Sequence, residues 1–262
     1  MQKPPLKSAL RLALDMLARP GRALDRMERE EGALYEAAVI YAVYLATAVL
    51  FYTGKPADFP PLPPDSPLAQ LEVHCGLFAW SKALAWHPLF TVILIAFAAW
   101  FARLLAKGHA AFKILLGCAC ACLPPAAVLA YTNSAVGKPL FAAAWAGLLA
   151  AMIPALYGMD KKLWRSLAAL LMTINIAAVA LLPVFAAAIV LRAPLVYHIV
   201  ELAAAFWTVG LAAYGIRRLT GLQTARAFFA IILASWCQLI FIIALYLLGW
   251  IPKDALKALL AV

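Results

Sequence analysis

Long apolar stretches alternate with short basic turns along this chain. Seven such stretches, at about 33–52, 88–106, 111–131, 139–159, 166–191, 196–215 and 227–250, read as helices. At about 1.5 Å rise per residue, each is long enough to cross a hydrocarbon layer about 30 Å thick. The pattern predicts an all-α fold: a polytopic transmembrane helical bundle of about seven spans, preceded by an N-terminal amphipathic interfacial helix. The clearest turn lies between the second and third spans, where Arg103, Lys107 and Lys113 interrupt the apolar pattern. Such a turn stays on the cytoplasmic side, and that fixes the direction of every other segment.

Residues 1–31 form a cytoplasmic lead-in. Leu6, Leu10, Leu14 and Leu17 recur at helical spacing beside a basic stripe of Lys3, Lys7 and Arg11. That is the pattern of a helix lying on an anionic membrane surface, here the inner leaflet, with room for a protein partner on the same helix. Pro20-Gly21 ends it, and a second short segment alternates its charges, so that Arg26 attracts Glu30 and repels Arg22. The first strongly apolar run begins only at Ala33, after seven basic residues, which reads as an uncleaved anchor rather than a signal peptide. Glu36 lies one turn inside the first span, close enough to the interface for water to reach it. Residues 53–87 are expected outside. Their proline-dense part from Lys55 to Pro67 favours an extended loop, and 68–86 suits an interfacial helix with Trp80 and Trp86 at the headgroup level. Residues 251–262 form an external tail.

Composition agrees. The chain is 66% hydrophobic and 13% charged, about half the charge of a soluble domain at roughly 25%. The net charge of +10 does not point to nucleic acid, because Lys and Arg fall in clusters between apolar runs rather than on one face. With the N-terminus cytoplasmic, sixteen of the 22 Lys and Arg residues fall inside and six outside. The expected location is therefore the inner cell membrane, multi-pass, with the C-terminus external. Five cysteines without framework spacing imply no disulfide scaffold.

Candidate chemistry is sparse. His198 and Glu201 share a helix face and could bind a metal or pass a proton, although both lie within two turns of the outer boundary, where water can solvate them. Cys118-x-Cys-x-Cys122 has the look of a metal motif, but in a helix Cys120 points away from the other two, so packing explains it better. Pro124 and Pro125 remove two amide donors, so their bend must face protein or a wet cavity. Pro183 is expected to bend the fifth span. Thr173, Asn175 and Gln238 suit hydrogen bonds between helices, and Ala143, Gly147 and Ala151 form a small-residue face for close helix approach. No nucleophile elbow, phosphate-cradling glycine loop or zinc-protease helix is present, so no enzyme, cofactor or metal is expected. Two functions compete: a membrane scaffold, which could self-associate, and a small-solute or ion permease lined by the Pro124-Pro125 bend and the His198/Glu201 face.

Three pieces carry a family resemblance. They are Arg19-Pro20-Gly-Arg-Ala-Leu-Asp-Arg-Met-Glu before the first span; Leu105-Ala-Lys-Gly108-His-Ala-Ala-Phe112-Lys113 before a span with Leu123-Pro124-Pro125; and Arg217-Arg-Leu-Thr-Gly221-Leu-Gln-Thr-Ala225-Arg226-Ala-Phe opening the last span. Together they resemble the Yip1 domain family as found in bacteria. The resemblance implies a non-enzymatic integral membrane protein with a cytoplasmic N-terminus and an external C-terminus. The family pattern has five spans, and this chain adds a helical hairpin at about 139–192. It lacks the acidic-aromatic segment of the eukaryotic members, so their binding of small GTPases is not implied.

Overall fold

A computed structural model describes residues 5–56, 58–61, 76–253 and 255–256. Every regular element among them is helical: α1 (Pro5–Ala18), α2 (Pro20–Arg29), α3 (Ala33–Gly54), α4 (Leu77–Leu84), α5 (His87–Leu104), α6 (Ala110–Thr132), α7 (Lys138–Tyr157), α8 (Lys161–Thr173), α9 (Ile176–Val190), α10 (Pro194–Thr220) and α11 (Thr224–Leu247). Six stretches are long and apolar enough to cross a membrane: Ala33–Gly54, Leu77–Leu104, Ala110–Thr132, Lys161–Val190, Pro194–Thr220 and Thr224–Leu247. The chain is an all-α, multi-pass membrane protein. The expected fourth span is α7, whose apolar run as far as Pro154 is shorter than these six.

The helices fall into two compact units. One holds α1 to α4, α9 and α10 as far as Leu211; the other holds α5 from Pro88, α6 to α8 as far as Leu171, α10 from Ala212, and α11.

In the first unit the lead-in folds back on the first span. Its inward positions Ala9, Leu12, Ala13 and Met16 on α1, with Ala23, Leu24 and Met27 on α2, are buried. Removing a side chain such as Leu24 or Met27 from water is worth about 1.5–3 kcal/mol. Pro20 at the start of α2 suits a position whose N–H would be unpaired anyway. The expected interfacial helix is different. Its part at 68–75 lies outside the described residues, and α4 continues across Ala85-Trp86 into α5 as one apolar stretch. Trp80 is buried, stacked on Tyr52 with centroids 4.8 Å apart.

In the second unit α11 is the core helix, with Ala230, Ala234, Cys237 and Ala244 among its buried side chains. Gln238 donates to the Phe90 carbonyl at 2.9 Å, the interhelical bond expected of it. On α10, a Cβ added to Gly215 would stand 2.4 and 2.7 Å from the two methyl carbons of Leu170, which is fully buried on α8. Only glycine allows that approach.

The apolar stretch that holds Pro183 is broken well before that residue. Pro183 stays inside α9, and the helix breaks at Ile174-Asn175. Pro183 withholds one N–H, which a helix in lipid tolerates. Asn175 acts more strongly: its side-chain amide donates to the Met172 carbonyl at 3.2 Å and competes with the helical ladder. That bond is local to the break. The face of Ala143, Gly147 and Ala151 is also different from expectation. All three are exposed, and nothing lies within 4 Å of a Cβ on Gly147.

Contacts within each unit join like ends with like. In the second unit, Arg103 guanidinium nitrogens lie 2.8 and 2.9 Å from where a Cβ on Gly158 would stand, and Arg226 binds the turn after α5. At the other end of α7, Lys138 Nζ lies 3.9 Å from the corresponding point on Gly249. Helix α7 therefore runs the length of its unit, and its 20 residues rise about 30 Å. In the first unit Arg192 pairs with Asp58 at 2.8 Å, joining two segments expected outside. Hydrogen bonding to that guanidinium holds the exposed Asp58 carboxyl below its ordinary range.

Candidate functional site

Two polar constellations stand out in the first unit. The first is built on Glu36, expected within reach of water but only 7% exposed, because α1 and α2 cover the first turn of α3. Arg26 Nη2 donates to Glu36 Oε1 at 2.6 Å, Nε to Glu30 Oε2 at 2.9 Å and Nη1 to the Ser8 carbonyl at 3.2 Å. The Ser8 hydroxyl also donates to Glu36. One guanidinium thus ties three helical segments together. The Arg26–Glu30 pair follows the expected i, i+4 spacing. The Arg26–Glu36 pair was not foreseen, although a carboxylate inside an apolar span demands a cationic partner nearby.

The docked lead-in turns a second apolar row outward. Leu6, Leu10 and Leu14 are 70%, 60% and 56% exposed, and Lys7 and Arg11 beside them are exposed too. Lys3 lies outside the described residues.

The second constellation is a cavity of about 330 Å³ among α3, α9 and α10. One wall is aromatic: Phe51 meets Phe185 at 5.9 Å and Phe185 meets Tyr197 at 5.1 Å, while Phe59, which does not line the cavity, stands edge-on to Tyr197 at 5.6 Å. Glu201 is its sole carboxylate, and the deeper lining includes Ala178, Leu182 and Ala204. His198 Nδ1 lies 3.3 Å from Glu201 Oε2, so the two share a face as expected, each about half exposed. The Lys55 ammonium sits 4.9 Å from the Tyr197 ring centroid and 5.8 Å from that of Tyr52.

The remaining candidates lie apart. Pro124 is buried and Pro125 half-buried inside an unbroken α6, and neither lines this cavity. Cys118 and Cys120 are half-buried and Cys122 exposed. No group of three or more His, Cys, Asp or Glu that could hold a metal occurs among the described residues. An open basin near the α10–α11 turn is lined by Arg217, Arg218 and Thr224.

Besides the Arg26–Glu36 pair, two features escaped sequence reasoning. His87 packs between Tyr41 and Tyr44, its Nδ1 bonded to the Tyr41 hydroxyl. Its neighbour Pro88 marked a span boundary and hid this role. Arg226, counted as one more charge in a basic turn, is buried and donates to the carbonyls of Leu105 at 2.8 Å, Ala106 at 3.1 Å and Gly108 at 2.7 Å. It satisfies carbonyls left open where α5 ends.

No family model, curated protein or solved structure matches this chain. The functional reading therefore rests on the geometry above.

Proposed function

We propose that this chain is a non-enzymatic membrane-organising protein of the inner cell membrane, similar to the Yip1 domain family. Its lead-in rests on the anionic cytoplasmic leaflet, α7 is the seventh crossing, and the tail is external. The observation that carries the reading is the outward row of Leu6, Leu10 and Leu14 beside Lys7 and Arg11, on a helix pinned to the first span through Arg26 and Glu36. Leucines at that spacing enter the acyl boundary while the cations meet lipid phosphates, each cation adding about 1 kcal/mol. A lead-in fixed in this way presents a rigid surface at the membrane, suited to gathering neighbours rather than to turnover.

The test places a nitroxide at position 10, by Leu10→Cys in a chain without other cysteines, reconstituted in anionic bilayers. Oxygen should reach the label far better than a water-soluble nickel chelate. Lys7→Gln with Arg11→Gln should reverse that preference. A label equally open to the chelate in both chains would sink the reading.

The permease reading draws on Glu201 at its cavity. Its other element, the Pro124-Pro125 bend, does not line that cavity.

A further inference from the structure

We propose that the cavity among α3, α9 and α10 binds an ammonium group carrying an apolar tail. This goes beyond the membrane-organising reading and does not depend on it.

The argument starts from what the lining can offer. A cavity of about 330 Å³ lies at the small end of the range for ligand sites, roughly 300–1,000 Å³. Along α10 it extends from Tyr197 and Glu201 to Thr208 and Val209. Glu201 therefore lies about 10 Å along the axis from Pro194, and Val209 about 22 Å. A ligand with a charged end beside Glu201 and an apolar stretch against the small side chains of α9 and α10 matches that lining, whose far end carries Asn175 and Thr208.

The mouth favours a cation on two counts. Glu201 is the one formally charged residue in the described lining, and it is negative, while the Lys55 ammonium lies over Tyr52 and Tyr197 beside it. The rings of Tyr52 and Tyr197 offer the negative face of their quadrupole, which attracts ammonium groups within about 6 Å. That attraction is already visible inside the chain, because the Lys55 ammonium sits over both rings, at 5.8 and 4.9 Å. Deeper in, Ala178, Val179, Leu182, Ala204 and Ala205 supply small apolar surface, the complement of an alkyl or aryl tail. Pro183 has no N–H to offer the carbonyl of Val179, which leaves that oxygen open to a donor. A neutral solute would gain little from Glu201, and an anion would be repelled by it.

Two sources could supply such a group: the headgroup of an aminophospholipid, or a free lipophilic amine. Both share the ammonium and the tail.

The experiment uses the full chain in nanodiscs of phosphatidylglycerol, which has no ammonium, with protein-free discs subtracted. The probe is benzyltrimethylammonium, and its uncharged carbon isostere neopentylbenzene is the control, both followed by saturation-transfer NMR and calorimetry. The charged probe should bind saturably, and the isostere at least about tenfold more weakly. Glu201→Gln and Tyr197→Leu should each weaken the probe about tenfold, whereas Tyr197→Phe, which keeps the ring and its packing, should bind nearly as the parent does. Lys55→Met should tighten binding severalfold by removing a like charge. Exchanging half the lipid for phosphatidylethanolamine separates the sources. Loss of probe binding identifies the lipid headgroup as occupant, and unchanged binding identifies a free amine. Equal binding of the isostere, undiminished binding in Glu201→Gln, or weaker binding in Lys55→Met would each overturn the proposal.

Discussion

Arg26→Ala is expected to detach the lead-in from the first span, at a cost of about 3–5 kcal/mol, the range for breaking a buried ion pair by removing one partner. The penalty arises less from the lost attraction than from what is left behind. Glu36 would remain buried with its charge facing Ser8 alone, and its Oε2 already has no hydrogen-bond partner. Trypsin should then cut at Arg22 and Arg29 much faster in detergent, while the apolar helices stay protected. Arg26→Met combined with Glu36→Leu should be far milder than either single change, since the pair leaves together and no charge is stranded. Singles that sum to the double would mean that the pair is not coupled.

Arg226→Met is expected to be of similar weight. One guanidinium serves the carbonyls of Leu105, Ala106 and Gly108, and each bond to a charged donor is worth about 1.5–3 kcal/mol before water reclaims a share. A net loss of about 3 kcal/mol is the expected outcome, read as a fall in the thermal midpoint of the purified chain. Arg226→Lys should recover little, because a single ammonium on a flexible stem cannot address three carbonyls as a planar fork does. Full recovery by lysine would show that charge alone matters at this position.

The two residues show where sequence reasoning stops. Spans and turns are legible because lipid imposes a local rule, that about 20 apolar residues must run without charge. Pairing across the fold obeys no such local rule. Arg26 was read with Glu30 because they are four residues apart, whereas its buried partner Glu36 became visible only when α2 folded back. Arg226 reaches carbonyls about 120 positions earlier, and a backbone acceptor leaves no trace in side-chain pattern.

The same limit hid the break at Ile174-Asn175. Proline is the obvious breaker by type, but Asn175 acts through a hydrogen bond to Met172 that depends on its rotamer. It explains the cavity as well. Phe51, Phe185 and Ala204 line it, yet side chains of these kinds facing lipid would read the same in sequence. His198 and Glu201 were legible as a pair because ionisable groups in an apolar run are costly, and costly groups stand out. Ala143, Gly147 and Ala151 had the right spacing for a helix contact, but spacing alone does not supply the partner helix, and they remain exposed.

Membrane sidedness is the claim on which the functional reading rests, and cysteine accessibility tests it most directly. In a chain cleared of other cysteines, Asp160→Cys and Thr220→Cys mark turns expected inside, and Ser134→Cys and Ala193→Cys mark turns expected outside. In intact cells a membrane-impermeant maleimide should label positions 134 and 193 at once, and positions 160 and 220 only after the membrane is opened. Immediate labelling at 160 or 220 would contradict the account.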